Sequence, residues 1–224
     1  MKTFSAPSAP DLTAPPRASP KRFSGVDTTC YIDCVSESIL QEFRNTGAYL
    51  KGHFRLTSGL HSNEYMQCAL VLQHPSIAEK FGRDLASHFS KCDIVVSPAI
   101  GGLIIGHEVA RALGARFLFT ERDPATGKMI LRRGFSVNPG ETTVVIEDVV
   151  TTGGSTRDVI ETLQAAGVKV LGAGSIIDRS GGRADLGVPR VALATLEVTA
   201  WPADFCPLCQ EGIPVEKPGS RPTE

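Results

Sequence analysis

Residues 144–156 have the sequence VVIEDVVTTGGST, and this stretch decides the fold. Its run of β-branched apolar residues predicts a buried strand, which leads into two adjacent carboxylates, Glu147 and Asp148. Two threonines and two glycines follow, and they open a predicted helix over residues 155–166. A buried strand, a Gly-rich turn and a helix in this order indicate one repeat of a parallel sheet.

The same alternation extends in both directions from this stretch. It predicts an α/β fold, with a parallel sheet flanked by helices on both faces. In such a sheet, ligands bind beyond the carboxyl ends of the strands. The strands are predicted at residues 93–97, 115–120, 142–146, 172–177 and 191–198, with a hairpin strand at 129–133, and the other helices at 33–46, from 75 onward and at 102–113.

Composition limits the function classes that the chain can serve. Its 224 residues are 42% hydrophobic with a net charge of −1, which is typical of a globular domain and gives no broad positive field for nucleic acid. No apolar run approaches the roughly 20 residues that span a bilayer, and the N-terminus has no continuous apolar core. We therefore expect a cytoplasmic protein without a nucleic-acid or membrane partner.

The two ends of the chain differ from its middle. Residues 1–25 are rich in Pro, Ala and Ser, which predicts a disordered extension. The domain is expected over residues 26–200. Residues 201–224 are expected to form an irregular tail, whose start packs on the body through Trp201 and Phe205.

The turn after the 144–148 stretch has the chemistry of a phosphate site. Unpaired N–H groups at a helix start, together with Thr and Ser hydroxyls, form a cradle for a phosphate monoester. Two carboxylates suit a polyol such as ribose, or a hydrated Mg²⁺. The stretch lacks the Gly-Lys-Ser/Thr of a Walker loop and the GxGxxG pattern of a dinucleotide site.

Residues 144–156 resemble the phosphoribosyl-pyrophosphate (PRPP) motif of the type I phosphoribosyltransferases. The resemblance implies that Glu147 and Asp148 bind the ribose hydroxyls and take part in catalysis, and that the following loop binds the 5-phosphate. The PRPP-binding residues in this stretch would be Glu147, Asp148, Val149, Val150, Thr151, Thr152, Gly153, Gly154 and Ser155.

Two further loops complete the predicted PRPP site. The turn after strand 93–97 resembles the pyrophosphate loop of the family, with Ala99, Ile100 and Gly101 against the ligand. The charged loop, residues 121–128, resembles the flexible loop that brings basic residues to the pyrophosphate. Arg122 and Lys128 are its candidates, and Lys128 is the third predicted catalytic residue. The alternatives are a plain strand-to-helix turn and a solvated charged hairpin.

The wider chain, from about Cys34 to Val198, resembles the orotate phosphoribosyltransferases. Residues 54–65 stand in the place of the hood segment of that family, so the resemblance implies a small N-terminal hood lobe at about residues 30–70. The strand GAGSII leads into Asp178 and Arg179. Orotate carries a carboxylate, which Arg179 could pair with bidentately. Thr151 matches a family position that also touches orotate. The alternative for Arg179 is a surface ion pair with Asp178 or Asp185.

The resemblance implies an enzyme that forms orotidine 5′-monophosphate and pyrophosphate from orotate and PRPP. It also implies a homodimer and a Mg²⁺ cofactor held through PRPP oxygens, without metal ligands from the protein. The sequence departs from many members at Thr57 and Gly101, where a lysine is common, and in the charged loop, which lacks a Lys-x-His-Gly ending. His61 could compensate, although a lone histidine of this kind is usually a surface residue.

Three questions stay open from the sequence. A purine phosphoribosyltransferase and a non-catalytic PRPP-sensing regulator are the alternative functions. The pairs Cys30/Cys34 and Cys206/Cys209 could supply four thiolates to a zinc ion, but unrelated reduced thiols are the favoured interpretation. The sequence also leaves open which subunit of the dimer supplies the charged-loop residues to a given active site.

Overall fold

The computed structural model describes residues 28–56 and 58–218 of the chain, and the side chains from Ser36 onward. The predicted extension at 1–25, Thr57 and the last six residues lie outside the described residues. The helices are α1 (Thr28–Asn45), α2 (Cys68–Leu72), α3 (Pro75–Ala86), α4 (Gly102–Leu113), α5 (Gly154–Ala165) and α6 (Pro207–Gln210). The strands are β1 (Tyr49–Arg55), β2 (His61–Met66), β3 (Ile94–Pro98), β4 (Arg116–Arg122), β5 (Met129–Leu131), β6 (Thr142–Val150), β7 (Lys169–Asp178), β8 (Arg190–Thr195) and β9 (Ala200–Trp201).

A six-stranded sheet forms the centre of the body, in the order β5-β4-β3-β6-β7-β8. All neighbours are parallel except β5, which pairs antiparallel with β4 as the predicted hairpin strand. The strand register brings Pro98 beside Thr120 and Val150 beside Asp178. The loops that follow these strands therefore emerge along one edge of the sheet, as the sequence predicted for a parallel sheet.

Alternating side chains of the central strands supply a core on each face of the sheet. Val95 and Val144 pack with α1, α3 and α4, whereas Val96 and Val145 pack with α5 on the other face. This is the consequence of the period-two geometry of a strand that is covered on both sides. The predicted α/β architecture with helices on both faces is confirmed.

Several predicted bounds differ from the structure. Helix α1 begins earlier than residue 33, the short helix α2 was not predicted, and β6 continues four residues past Ile146. The extension of β6 follows from its pairing, because Glu147, Val149 and Val150 all have ladder partners on β7. The charged residues at 147 and 148 interrupt the apolar pattern, so the pattern did not predict this part of the strand.

The hood is a separate antiparallel sheet of three strands, in the order β1-β2-β9. Its third strand comes from the C-terminal part of the chain, since Ala200 pairs with Ser62 and Trp201 with His61. Residues 201–218 were expected to be irregular, but they include β9, a short 3₁₀ turn and α6. Phe205 is 73% exposed rather than packed, and the buried residue that anchors this segment is Cys206.

Among the described residues, no helix combines the length and the apolar character needed to cross a bilayer.

Candidate active site

The carboxyl end of β6 carries the predicted phosphate cradle. Thr151 and Thr152 are exposed in the turn, and Gly153 immediately precedes the first turn of α5. Gly153 has a φ of +78°, and a Cβ there would lie 2.5 Å from Leu186 Cδ2. Both the backbone conformation and the close packing therefore require glycine at this position. The turn is held so that the N–H groups at the start of α5 remain available to an anion.

Glu147 and Asp148 lie side by side just before this turn. Glu147 is 8% exposed, and its Oε1 accepts the Asp148 amide at 3.3 Å, while Asp148 Oδ1 accepts the Val149 amide at 2.8 Å. Burial, and secondly the neighbouring Asp148 charge, raises the pKa of Glu147 well above its ordinary value. Burial also raises the pKa of Asp148. Two such carboxylates favour a ligand that supplies hydroxyl donors or a cation.

The predicted pyrophosphate loop lies directly against this carboxylate pair. A Cβ on Gly101 would lie 2.6 Å from Asp148 Oδ2, and one on Gly102 would lie 3.4 Å from Glu147 Oε1. The Ala99 amide donates to the Thr120 carbonyl at 2.8 Å, which fixes the start of the loop, and Ile100 is 74% exposed. Glycine at 101 thus has a steric reason here, because any side chain would displace the Asp148 carboxylate.

A cleft of about 690 Å³ lies between the hood and the sheet edge. This volume is in the range of small-molecule sites. Of the predicted site residues, Asp148, Val149, Thr151, Thr152 and Arg179 line the cleft. Its other lining residues are Leu56, Ser58, Leu60, Tyr65, Met66, Gln67, Arg157, Ser180, Arg183, Ala184, Asp185, Val198 and Ala200.

Arg179 is a half-buried cation without an ion-pair partner in the described part of the chain. Its Nε atom is buried and has no hydrogen-bond partner there, and burial lowers the pKa of the guanidinium. Asp178 does not neutralise it, because that carboxylate accepts hydrogen bonds from Ser180 and forms an ion pair with Arg190. Asp185 is likewise turned elsewhere, with Oδ1 accepting the Gly187 amide at 2.9 Å. The surface ion pair that competed with a ligand role for Arg179 is absent among the described residues.

The environment of Asp178 explains why its carboxylate pairs with protein groups and not with Arg179. Burial alone would raise the pKa of this carboxyl, but hydrogen bonds from Ser180 and the Arg190 guanidinium together lower it. The carboxylate is therefore ionised and fully occupied in holding the turn after β7. This arrangement leaves Arg179 directed at the cleft that Asp148 and Tyr65 also line.

The charged loop contacts the phosphate cradle through Arg122. The Arg122 guanidinium donates to the Gly127 carbonyl within its own loop, pairs with Asp158 at 3.2 Å and reaches Ser155 Oγ at 3.4 Å. Lys128 is exposed, and its ammonium forms no ion pair with the described residues. The structure thus brings Arg122 to the first turn of α5, while it leaves Lys128 in solvent.

The remaining predicted residues lie close behind the cleft rather than along it. Val150 is buried, and its carbonyl accepts the Arg179 amide at 2.8 Å, so it positions the turn from below. Glu147 lies beneath Asp148, and Gly153, Gly154 and Ser155 form the start of α5.

Sequence reasoning missed two arginines of the cleft and most of its hood side. Arg157 lies in the first turn of α5 and donates to the Asp185 carbonyl, and Arg183 pairs with Glu197 at 2.9 Å. Their place after a strand end or at a helix start was the signal available in the sequence. The hood residues, such as Tyr65, carry no motif of their own. Tyr65 lines the same cleft as Asp148, and burial, and secondly the Asp148 charge, raises the pKa of Tyr65.

Comparisons with known proteins agree with this geometry. A family model for the phosphoribosyl transferase domain matches residues 71–207. The orotate phosphoribosyltransferase of Pelotomaculum thermopropionicum is 54% identical over 187 residues, which is 83% of this chain and 97% of that protein. The enzyme of the same name from Heliobacterium modesticaldum is also 54% identical, over 83% of this chain and 98% of that protein.

Solved structures give the same family. The crystal structure of orotate phosphoribosyltransferase from Aeropyrum pernix has a TM-score of 0.61 and 27% identity, over 71% of this chain and 94% of that chain. An adenine phosphoribosyltransferase from Rhodothermus marinus has a TM-score of 0.58 at 19% identity, over 73% of this chain and 99% of that chain, and that likeness shows the fold alone. From the family match and the two relatives at 54% identity, this chain belongs to the phosphoribosyltransferase family and, within it, to the orotate phosphoribosyltransferases.

Proposed function

We propose that the protein transfers the phosphoribosyl group of PRPP to orotate, which gives orotidine 5′-monophosphate and pyrophosphate for pyrimidine synthesis. The observation that carries this proposal is Arg179, a half-buried cation that lines the cleft, with a buried Nε atom and no carboxylate partner among the described residues. Leaving a partly desolvated guanidinium unpaired is costly, and a ligand carboxylate would relieve that cost through a bidentate pair. Orotate has such a carboxylate.

The PRPP side of the site is assigned to the loops around Asp148. The 5-phosphate would bind at the start of α5, to its N–H groups and to the hydroxyls of Thr151 and Thr152, which are exposed in the preceding turn. The ribose hydroxyls would donate to the Glu147 and Asp148 carboxylates, and the pyrophosphate would lie along residues 99–101 and Arg122. Each group then faces a complementary charge or dipole.

The reaction breaks the bond between C1 of the ribose and the pyrophosphate oxygen, and forms a bond from C1 to a ring nitrogen of orotate, which gives up its proton. Positive charge develops on the ribose ring as the pyrophosphate departs, and the nearby Asp148 carboxylate stabilises it. The hood residues Leu56, Leu60 and Tyr65 exclude water from this side of the cleft. The protein contributes positioning and electrostatics rather than a covalent nucleophile.

The Glu147 and Asp148 pair also fits the proposed Mg²⁺ cofactor. Burial raises the pKa of both carboxyls, and a cation nearby would favour their ionised forms. As the resemblance implies, the ion would be held through PRPP oxygens rather than by protein ligands, and it would neutralise charge on the leaving pyrophosphate.

Two alternatives to this function have less support. Purine bases carry no carboxylate, so a purine phosphoribosyltransferase would leave Arg179 unpaired. A PRPP-sensing regulator would need a surface for its target, and the net charge of −1 provides no broad basic field for nucleic acid.

We also propose a cytoplasmic homodimer. Ile100 and Ile104 are 74% and 45% exposed at the start of α4, beside the pyrophosphate loop, and exposed apolar side chains of this kind are typical of subunit contacts. A partner subunit could then supply charge to the pyrophosphate through its charged loop. The molar mass in solution at two protein concentrations tests the dimer.

The Arg179→Ala variant tests the acceptor site. We expect the KM for orotate to rise about tenfold or more, while the KM for PRPP changes little, because the lost contact is made to the acceptor alone. Arg116→Ala is the matched control, because Arg116 begins β4, at the edge of the sheet opposite the cleft, and pairs with Glu141. Equal increases in both KM values would contradict the assignment of Arg179 to orotate.

A further inference from the structure

Four potential metal ligands converge between the hood and the C-terminal segment, and none of them lines the cleft. They are His53 on β1, His61 at the start of β2, and Cys206 and Cys209 around α6. Their ligand atoms all lie within 4.8 Å of one another. Three separate parts of the chain thus supply two imidazoles and two thiols to one point.

The individual distances are close to those of a tetrahedral site. His53 Nε2 lies 3.5 Å from Cys206 Sγ and 3.6 Å from Cys209 Sγ, and His61 Nδ1 lies 3.2 Å from Cys209 Sγ. Metal–ligand bonds of Zn²⁺ to nitrogen and sulfur imply edges of about 3.3 to 3.8 Å. The two ring nitrogens are 2.8 Å apart, so an ion between them requires them to separate by about 0.5 Å.

His53 is already oriented as a ligand. Its Nδ1 lies 2.7 Å from the Ile213 carbonyl, to which it donates a hydrogen bond in the tautomer that leaves Nε2 with a free lone pair. A backbone carbonyl on the second ring nitrogen is the usual way in which proteins fix a metal-binding histidine. The lone pair of His53 is thereby directed at the cluster.

Three of the four groups are too enclosed for ordinary surface residues, and only Cys209 of the four is exposed. His53 and His61 are 3% and 6% exposed, and Cys206 is fully buried, whereas a solvated role was expected for His61. The sequence favoured unrelated thiols and offered Cys30 and Cys34 as the alternative partners of Cys206 and Cys209, but the side chains of Cys30 and Cys34 lie outside the described residues. The structure brings two histidines to them instead.

We propose that His53, His61, Cys206 and Cys209 bind one structural Zn²⁺ ion that fastens the C-terminal segment to the hood. Two nitrogens and two sulfurs in a tetrahedral arrangement select zinc among the common metals. Four protein ligands leave no open position for substrate or water, which is the mark of a structural site. The short distances between the ligand atoms fit a single ion rather than a two-iron cluster.

The hood has a physical need for such a link. It is a sheet of three strands, with seven, six and two residues, and a sheet of this size is marginal without further support. The segment that α6 begins returns to β1, where the Glu216 amide donates to the His53 carbonyl at 2.7 Å and the Arg55 amide donates to the Glu216 carbonyl. The ion would stabilise this added layer.

The site also lies next to the roof of the cleft. His61 directly follows Leu60, which lines the cleft, and it pairs with Trp201, whose neighbour Ala200 lines the cleft as well. Loss of the ion would therefore loosen the segment over the acceptor site. The inference does not depend on the proposed reaction, because it concerns the protein without substrate.

Metal analysis of the purified full-length chain tests the proposal. After dialysis against a weak chelator, we expect elemental mass spectrometry to find about one zinc per chain in the wild type. The zinc content should fall markedly in Cys209→Ser and His61→Ala. Cys92→Ser and His88→Ala are the matched controls, because Cys92 is a free buried thiol and His88 is exposed, both outside the cluster. Both controls should retain the zinc.

Two further measurements separate a built site from surface binding. Cobalt exchanged into the wild type should give the charge-transfer and d–d bands of tetrahedral Co²⁺ with thiolate ligands, and Cys209→Ser should weaken them. Removal of zinc by a strong chelator should lower the melting temperature by about 5 °C or more. A folded wild type with no bound metal, or one in which Cys206 and Cys209 form a disulfide under reducing purification, would overturn the proposal.

Discussion

Asp148 is the residue on which three parts of the site converge. Its carboxylate lies so close to Gly101 that a side chain at position 101 would collide with it. Its Oδ1 also accepts the Val149 amide, and the residue lines the cleft. Because its charge faces the ribose position, Asp148→Asn should lower kcat by about tenfold or more while the protein stays folded. Steady-state rates and circular dichroism check this. Asp84→Asn, on the surface of α3, is the control, and a near-wild-type rate for Asp148→Asn would remove Asp148 from the site.

The ionised carboxylate of Glu147 serves the site but lowers the stability of the folded protein. Its pKa is raised by burial, so the folded state prefers the protonated form, and the carboxylate costs stability increasingly as the pH rises above about 4.5. Glu147→Gln removes the charge, while its amide oxygen can still accept the Asp148 amide. We therefore expect the variant without PRPP to melt above the wild type at pH 8, by a margin that shrinks toward pH 5.

Thermal melts of Glu147→Gln between pH 5 and pH 8 measure this effect, and Glu141→Gln provides a control of opposite sign. A hydrogen bond from Asn138 is the main factor that lowers the pKa of Glu141, so its ionised form favours folding. Glu141→Gln should accordingly melt below the wild type at pH 8. The same shift at every pH for Glu147→Gln would show that its carboxylate carries no ionisation penalty.

At the scale of elements, the site depends on two turns that approach each other at the sheet edge. Gly101→Ala would place a methyl group against the Asp148 carboxylate, which must then move. We expect kcat/KM for PRPP to fall about tenfold, with little change in the melting temperature. A double-mutant cycle with Asp148→Asn is the control, because the second substitution should add little once Asp148 is lost. Additive effects would mean that Gly101 acts independently of Asp148.

The elements also show what the sequence could and could not predict. Helix α4 and the start of α3 at Pro75 were predicted at their observed positions, because periodic apolar residues and a favourable first-turn proline act locally. The extension of β6 through Glu147 and Asp148 was missed, since it depends on pairing with β7 rather than on local pattern. Predictions from the pattern were accurate where the cause was local.

The candidate site divides in the same way. Glu147, Asp148 and the glycine turn follow one another in the chain, so a motif could identify them. Arg157 and Arg183 enter the cleft through tertiary packing, and His53 and Cys206 meet across 153 positions of the sequence. No local spacing predicts contacts between such distant residues, and for the two arginines the sequence offered only their place after a strand end or at a helix start.

At the scale of the whole molecule, the body and the hood hold complementary halves of one site. The body supplies the carboxylates, the phosphate cradle and Arg179, and the hood supplies Leu56, Ser58, Leu60 and Tyr65 from the other side. The hood in turn includes β9 from the C-terminal part of the chain. Closure of the cleft therefore depends on segments that lie more than a hundred residues apart.

The measurement that tests the central claim most directly is the absorbance of orotate over time with PRPP and Mg²⁺, with and without a chelator of Mg²⁺. We predict a fall in absorbance that requires both PRPP and the metal ion, and none when a purine base replaces orotate. A constant orotate absorbance, in a protein whose melting temperature PRPP still raises, would contradict orotate as the acceptor and leave only the PRPP site.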